Sequence, residues 1–283
     1  MSSSPVILIF GVGANTGLAT ATKFAKAGYR VAGVSRNPSA EVKAATDLIV
    51  PADLTDPKTV EAAFEKVTKE LGAPHVVVYS AADGQMNSAV DPITVSSARL
   101  TEILTVSTIS AYAAARLAVK GWATLPASAK KAFFYVGNMT NTQIFPEAHT
   151  LGMAKNAAVY FIETSAEAYK RAGRDYKFYF VDERLEDGES VMMDIDGAAH
   201  ALEFWKLAHE VEGQSHWCWT FIKGDAAKGE AGRYVGNKLV VDREYRLVSD
   251  FGMPDLTGLP EGGLTYSELF KQMGSPAEFT IKK

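Results

Sequence analysis

A lysine interrupts the apolar face of a predicted helix. In "LGMAKNAAVYFIETSAEAYK" (151–170), apolar residues recur at helical spacing, and Leu151, Ala158 and Ile162 fall on one face. Lys155 lies in the middle of that face. Either its alkyl stem crosses apolar neighbours to reach water, or a ligand lies at that face to receive the amine.

A second group of residues with chemical potential is the glycine-rich loop that follows the first apolar run. Gly11, Gly13 and Gly17 lie between "PVILIFG" (5–11) and a helical pattern. Glycines there allow a tight turn and a close approach of the backbone to a pyrophosphate at the helix N-terminus. A purely steric turn is the alternative, but the position directly after a buried strand favours nucleotide binding. The predicted nucleotide contacts in this loop also include Asn15, Thr16 and Leu18.

The end of the second apolar run bears on which nucleotide is bound. An NAD site usually offers a carboxylate to the ribose 2′-hydroxyl, whereas an NADP site needs a cation near the 2′-phosphate. Here the run ends with Ser35 and Arg36 and carries no acid. We therefore expect NADP(H) rather than NAD(H), although Arg36 is also compatible with an ordinary solvated arginine.

Apolar runs and helical patterns alternate along most of the chain. Seven runs are predicted as strands, at 5–11, 29–35, 47–50, 75–80, 132–137, 176–181 and 216–222. The alternation predicts an α/β fold, a Rossmann-like doubly wound parallel sheet of about seven strands with helices on both faces. We expect residues 1–222 to form a dinucleotide-binding domain that includes the active-site cleft. Residues 223–283 are expected to form a C-terminal extension packed on the same domain.

Composition narrows the classes of partner and compartment. The chain has 283 residues, 47% hydrophobic and 22% charged, with a net charge of −4, which argues against nucleic acid as a partner. Its single cysteine, Cys218, excludes an intramolecular disulfide and is predicted to be a buried strand thiol. We see no apolar run of about 20 residues, so no membrane span, and no signal sequence. A cytoplasmic protein without a metal site is expected.

The motifs together resemble those of the short-chain dehydrogenase/reductase family. The family's Gly-x-x-x-Gly-x-Gly turn is matched by Gly13 and Gly17, with Ala19 in the third place. Its Asp-Leu after the third strand, which contacts adenine, is matched by Asp53 and Leu54. Its Asn-Asn-Ala-Gly segment is matched in outline by residues 79–82, which makes Ser80 and Ala81 cofactor contacts. The resemblance runs from residue 5 to about 222 and implies a nicotinamide cofactor.

The resemblance also assigns catalytic positions, and most of them depart from the family pattern. Lys155 matches the lysine of Tyr-x-x-x-Lys, which bonds the nicotinamide ribose, but Leu151 stands where the tyrosine proton donor is expected. Asn138 falls at the serine that holds the substrate oxygen, and Ser107 at the asparagine of the proton relay. Because general acid help is typically worth about 10²–10⁴-fold, a leucine at the tyrosine position requires a substitute donor.

Several side chains near the predicted loop are candidates for that substitute. His149 has a suitable intrinsic pKa, but it is equally compatible with a surface or helix-entry residue. Thr150 and Thr140 are further candidates, whereas Tyr135 lies inside a strand and is better explained by packing. The charged run 182–184 either meets a polar substrate or is solvated, and the second is the more common.

Three functions are compatible with this sequence. The first is an atypical NADP(H)-dependent oxidoreductase that acts on a small carbonyl, enone or imine substrate. The second is a redox-silent isomerase, cyclase or lyase in the same pocket, and the third is a nucleotide-responsive binding protein. In the family that the chain resembles, the helix predicted at about 98–122 and the Lys155 helix build subunit interfaces, so a homodimer or homotetramer is expected.

Overall fold

Uninterrupted apolar runs form the centre of the main sheet. The computed structural model describes residues 4–235, 244–245, 248–252, 256, 264–265 and 268–269. Its main sheet contains β1 (Val6–Phe10), β2 (Arg30–Val34), β3 (Leu48–Val50), β4 (Val76–Tyr79), β6 (Ala132–Val136), β8 (Lys177–Arg184), β9 (Cys218–Ile222) and β10 (Arg233–Tyr234). Short strands outside it are β5 (Gln85–Met86), β7 (Gln143–Ile144), β11 (Glu244–Tyr245) and β12 (Leu264–Thr265). Every residue of β1 is buried, as expected for a strand covered on both faces.

The strand order confirms the doubly wound α/β fold. The sheet runs β3-β2-β1-β4-β6-β8-β9-β10, and its first seven strands are parallel. The two-residue strand β10 is an eighth member and pairs antiparallel with β9. The direction in which successive strands are added reverses between β1 and β4, and ligands of open α/β sheets bind in the crevice at such a switch point.

Helices cover both faces of the sheet. They are α1 (Thr16–Lys26), α2 (Ala40–Ala44), α3 (Pro57–Glu70), α4 (Ser97–Leu104), α5 (Ser110–Trp122), α6 (His149–Arg171) and α7 (Gly197–His209). Alternate residues of β1 face opposite layers: Leu8 joins the core under α3, α5 and α6, whereas Ile9 joins the core under α1 and α7. The Lys155 helix therefore packs on the sheet with its apolar face inward, as predicted.

The long helix predicted at about 98–122 is divided. A π-helical segment at Thr105–Ile109 separates α4 from α5, and such one-turn insertions often lie at functional sites. By length and composition, the combined helical stretch Ser97–Trp122 could cross a membrane, but half of its most apolar window is buried inside the protein. A core helix of a soluble protein passes the same test, so the stretch is weak evidence for a span.

Strand β8 is longer than its apolar run indicates. The apolar pattern predicts an end at Val181, but the strand continues through Arg184, and Asp182, Glu183 and Arg184 are all buried. The expectation of a solvated charged loop is therefore wrong. The reason is internal pairing: the Arg184 Nε donates to Asp182 at 2.7 Å, and the Asp196 backbone amide donates to Glu183 at 2.8 Å.

Part of the predicted C-terminal extension lies outside the described residues. The described part adds β10 to the main sheet, pairs β12 with β5, and pairs β11 with β7. Leu256 and Leu269 are buried in a third apolar cluster with Met86, Met139, Phe145, Ala148 and Leu151. These contacts join the extension to the segments around the start of α6. The boundary at residue 222 stays a prediction.

Candidate active site

A cavity of about 490 Å³ opens at the carboxyl edge of the sheet, beside the switch point. Its walls come from the loops after β1, β4, β6 and β8, together with the start of α6. One end is formed by residues of the glycine loop, and the other end is strongly apolar. The lining residues are Gly11, Gly13, Ala14, Asn15, Thr16, Gly17, Ser80, Ala82, Met86, Val136, Gly137, Asn138, Met139, Thr140, Phe145, Ala148, Leu151, Lys155, Ser190, Met192, Met193 and Ile195.

The three glycines of the loop have different physical reasons to be glycine. Gly11 has φ +78°, and a Cβ there would lie 2.6 Å from the Ala81 nitrogen. A Cβ on Gly17 would lie 2.7 Å from the Val12 Cα, so these two glycines are required by the fold itself. A Cβ on Gly13 would meet only the Gly11 carbonyl oxygen, at 3.9 Å. Packing within the described protein therefore does not require glycine at position 13.

The N-terminus of α1 faces this loop without a side-chain cap. Asn15 occupies the N-cap position of α1, but its side chain does not accept from the first-turn amides. These amides carry the positive end of the helix dipole, which suits an anion. The backbone amide of Leu18 is already bonded to the Gly13 carbonyl at 2.9 Å, and Thr16 is buried. Leu18 is partly buried against the core under α1 and α7.

The Asn15 side chain is directed toward the protein. Its Nδ2 donates to the Ile195 carbonyl at 2.8 Å, and its Oδ1 accepts from the Gly197 amide at 3.0 Å. These bonds link the glycine loop to the segment that enters α7. Asn15 was predicted only as a nucleotide contact. Its role in linking two segments has no local signal in the sequence, because its partners lie about 180 residues away.

The residues predicted to distinguish NADP from NAD follow β2 and β3. Arg36 is exposed after β2, and Ser35 is half-buried. Asp53 is exposed after β3, and its pKa is lowered, first by hydrogen bonds from Thr55 and to a smaller extent by the charge of Arg36. Leu54 is buried in the core, and its carbonyl accepts from the Ser110 hydroxyl at 2.8 Å.

Lys155 lines the cavity with only 5% of its surface exposed. Its Nζ donates to the Val136 carbonyl at 2.6 Å and lies 4.5 Å from the centre of the Tyr135 ring. Burial lowers the pKa of Lys155 to about 7, and the nearby carboxylate of Asp182 opposes part of this shift. The amine does not extend to bulk solvent, so the alternative of an alkyl stem that crosses to water is wrong.

Two of the family-derived catalytic positions adjoin Lys155 in the cavity wall. Leu151, one helical turn before Lys155, is 7% exposed and has no exchangeable proton. The Asn138 Oδ1 accepts from the amide and the hydroxyl of Thr140, at 3.1 and 2.7 Å. Among the described residues, the Asn138 Nδ2 has no protein partner, so it can donate to a ligand.

Most of the other predicted catalytic candidates are not among the lining residues. The Ser107 hydroxyl accepts from the Asp83 amide at 2.8 Å and donates to the Asp83 carbonyl at 3.1 Å, which fixes the loop after β4. The Tyr135 hydroxyl donates to the Ser107 carbonyl at 2.7 Å. Thr150 bonds the backbone of Gln85, and His149 begins α6 outside the cavity. Thr140 is the one member of this candidate set that lines the cavity, besides Asn138.

Cys218 is buried, as predicted for a strand thiol, and burial raises its pKa to about 11. A thiol with such a pKa is unreactive at neutral pH.

Across the described residues, no group of three or more histidine, cysteine, aspartate or glutamate side chains is placed to hold a metal ion. Ser80 lines the cavity, whereas Ala81 packs against Gly11.

The apolar end of the cavity was not identified from the sequence. Met86, Met139, Phe145, Met192 and Met193 come from three stretches that are separate in sequence: residue 86, residues 139–145 and residues 192–193. Methionine side chains adapt their shape and are common at surfaces that accept varied apolar ligands. The adjacent methionines in the loop after β8 were a usable signal, since an irregular loop rarely needs two large apolar side chains.

A family profile and a curated protein both match this chain. The profile of the family described as "Enoyl-(Acyl carrier protein) reductase" matches residues 11–174. The curated protein "Short chain dehydrogenase/reductase dmxR12" from Cryptosporiopsis sp. (strain 8999) is 38% identical over 233 residues, covering 78% of this chain and 93% of that protein.

Solved structures share the fold at low sequence identity. A metagenomic short-chain oxidoreductase in complex with NADP has a TM-score of 0.65 at 16% identity, over 78% of this chain and 98% of its own. A dehydrogenase/reductase from Sinorhizobium meliloti 1021 has a TM-score of 0.64 at 16% identity, over 78% of this chain and 94% of its own.

Proposed function

The chain belongs to the short-chain dehydrogenase/reductase family, and we propose that it is an NADP(H)-dependent oxidoreductase acting on a small, uncharged apolar carbonyl, enone or imine. One observation carries the proposal: a single cavity joins the glycine loop to Lys155, Asn138 and an apolar chamber. A fold can host many functions, so it is the site and not the fold that supports this activity.

The residues at one end of the cavity fit a nicotinamide dinucleotide. The uncapped N-terminus of α1 and the open space above Gly13 suit a pyrophosphate. In this proposal Lys155 bonds the nicotinamide ribose and Asp53 contacts the adenine. A bound nicotinamide cofactor supplies or accepts the hydride; the chain's own residues bind, orient and exclude water.

The preference for NADP(H) rests on the end of β2. Arg36 is exposed there, and no acidic residue directly follows the strand to receive a ribose 2′-hydroxyl. The arginine fork matches a phosphate well. The metagenomic oxidoreductase that shares the fold is in complex with NADP, which is consistent with the same preference.

We expect an uncharged, apolar substrate because most side chains at the end of the cavity away from the glycine loop are apolar. Four methionines, Phe145 and Leu151 surround the substrate end, and none of the described lining residues is acidic. The Asn138 Nδ2, which has no protein partner among the described residues, can orient an oxygen. Burying a charged substrate among these side chains would be costly without a partner.

Leu151 favours one alternative, a redox-silent isomerase, cyclase or lyase. The hydrocarbon at this position removes the donor that completes the usual carbonyl reduction, while Lys155 and the glycine loop are retained. Incubation with NADPH and a panel of neutral ketones, enones and imines separates the two. We expect loss of nicotinamide absorbance with at least one panel member. Product formation without that loss would favour the alternative, and absence of any turnover would contradict both.

Replacing Arg36 with alanine tests the cofactor preference. Loss of a charge-assisted contact to the 2′-phosphate, worth about 1.5–3 kcal/mol, should weaken NADPH binding by about 10- to 100-fold and leave NADH binding unchanged. Calorimetric titration of both nucleotides measures this. Arg30→Ala, at the opposite end of the same strand, is the matched control. Equal weakening of NADPH and NADH binding by Arg36→Ala would count against a 2′-phosphate site.

We also propose that copies of the chain associate in the cytoplasm through α5 and α6. Tyr112 and Tyr160 are 56% and 71% exposed on these helices, and Met153 is also exposed. Large apolar side chains grouped at a surface commonly mark an interface. Sedimentation at micromolar concentration should show a dimer or tetramer, and Tyr160→Glu should shift it toward monomer. A monomeric wild-type protein would refute this proposal.

A further inference from the structure

One ionisable side chain lines the cavity in the part of the chain that the structure describes. Among the described residues that line it, Lys155 is the only one with an acidic or basic group. The remaining polar lining groups are amides and the hydroxyls of Thr16, Ser80, Thr140 and Ser190, which do not release protons near neutral pH. A proton that moves within this cavity therefore has Lys155 as its source among the lining side chains.

Tyr135, Asp182 and His149 are titratable groups that do not line the cavity. Tyr135 bonds the Ser107 carbonyl, and burial raises its pKa further above the usual value. Asp182 is buried and paired with Arg184. His149 is half-buried outside the lining set.

We propose that Lys155 is itself the general acid of this enzyme and supplies the proton that the missing phenol would give. The inference rests on the proposed function. When the hydride has added to the substrate carbon, one Nζ–H bond of the ammonium breaks and its proton ends on the substrate oxygen or nitrogen, directly or through one water. The neutral amine then regains a proton from solvent. In the oxidation direction the same amine accepts the proton.

The position of Lys155 suits both roles, ribose binding and proton transfer. One of its three N–H bonds is directed to the Val136 carbonyl, which leaves two for ligands. Leu151 borders the same space one turn earlier and cannot compete for the proton. Asn138 lies in the same wall and is free to orient the accepting atom.

The surroundings of Lys155 explain how an amine can serve at neutral pH. Burial lowers the pKa of Lys155 to about 7. From β8, the Asp182 carboxylate raises this pKa, and Arg184 neutralises part of that carboxylate. From β6, Tyr135 presents a neutral ring, and the π-helical segment presents no charged side chain. Below the pKa the group is an ammonium acid, and above it a neutral amine.

A titration of the protein without cofactor tests the inference independently of turnover. Heteronuclear NMR of the lysine side chains, with Lys155→Arg used to assign the signal, should show a midpoint near 7 for Lys155. Asp182→Asn should move this midpoint to lower pH, because the carboxylate favours the ammonium form. A midpoint near the ordinary value of about 10.4 would overturn the inference and leave the proposed function standing.

The pH dependence of the reduction supplies the kinetic test. We expect kcat to fall about tenfold per pH unit above the Lys155 midpoint, and the limb to move with it in Asp182→Asn. Lys155→Arg keeps a cation for the ribose but cannot release a proton, so NADPH should still bind while kcat falls by about 10²-fold or more. A wild-type kcat in the Lys155→Arg variant would refute the assignment, as would loss of the limb in His149→Gln. Failure of the wild-type protein to bind NADPH would instead refute the proposed function.

Discussion

Replacing Arg184 with methionine should destabilise the protein by about 3–5 kcal/mol, because the change leaves a buried carboxylate without its partner. Arg184 is 2% exposed. It donates to Asp182 at 2.7 Å, to the Gly188 carbonyl at 3.1 Å and to the Thr142 hydroxyl at 3.1 Å. Methionine fills much of the volume but makes none of these bonds. Urea unfolding at pH 8 measures the loss.

The pH dependence of this loss identifies its cause. Burial already raises the pKa of Asp182, while Arg184 lowers it, so the variant raises that pKa further. An acid with a raised pKa in the folded state gains stability as pH falls through that pKa. The deficit should therefore be smaller at pH 5 than at pH 8.

Two further variants serve as controls for the Arg184 prediction. The double variant Asp182→Asn/Arg184→Met removes the unpaired charge and should recover part of the loss. Arg233→Met breaks an exposed pair with Glu186 and should cost no more than about 1 kcal/mol. A pH-independent loss that the double variant does not reduce would indicate packing and not charge.

Leu151→Tyr should raise kcat by about 10²-fold relative to Leu151→Phe. Both rings enter the same cavity wall, one turn from Lys155, so they differ only in the hydroxyl. The phenol adds a second proton donor next to the amine, whose positive charge lowers the pKa of that phenol. The phenylalanine variant controls for lost leucine packing with Phe145 and Leu256.

Single-turnover reduction with saturating NADPH measures the Leu151 comparison without interference from product release. Equal rates for the tyrosine and phenylalanine variants would contradict a proton-transfer role for position 151. Melting temperatures of the two variants should agree, since the hydroxyl faces the cavity space. A large difference between them would mean that the tyrosine had displaced its neighbours.

The fold was predictable where the physical signal is local. Continuous apolar runs identified seven strands. Asp56 and Pro57 are a comparable local signal for the start of α3, where the Asp56 carboxylate accepts from the Lys58 amide. The two-residue strand β10 has too little sequence to show a pattern. The end of β8 was not predictable because charged residues are buried only when distant partners satisfy them, and Thr142 is such a partner for Arg184.

The site was predictable to a similar extent. The glycine loop and Lys155 could be selected as site candidates from sequence because the signals are local: the order strand, glycines, helix, and the helical spacing of apolar residues around Lys155. The roles of Ser107 and Asn15 were not, because each bonds a segment that the topology brings to it. The methionine-rich end depends on three stretches of chain that meet only after folding.

The hydrogen bonds of Asn15 join the glycine loop at one end of the cavity to residues 195–197, which adjoin its apolar end. The same segment that receives them carries Met192, Met193 and Ile195 into the cavity. A ligand that shifts the glycine loop therefore also shifts residues 192–197, and the two binding free energies are coupled. Thermodynamic reciprocity then fixes the outcome: whatever factor the nucleotide contributes to substrate affinity, the substrate must return to nucleotide affinity.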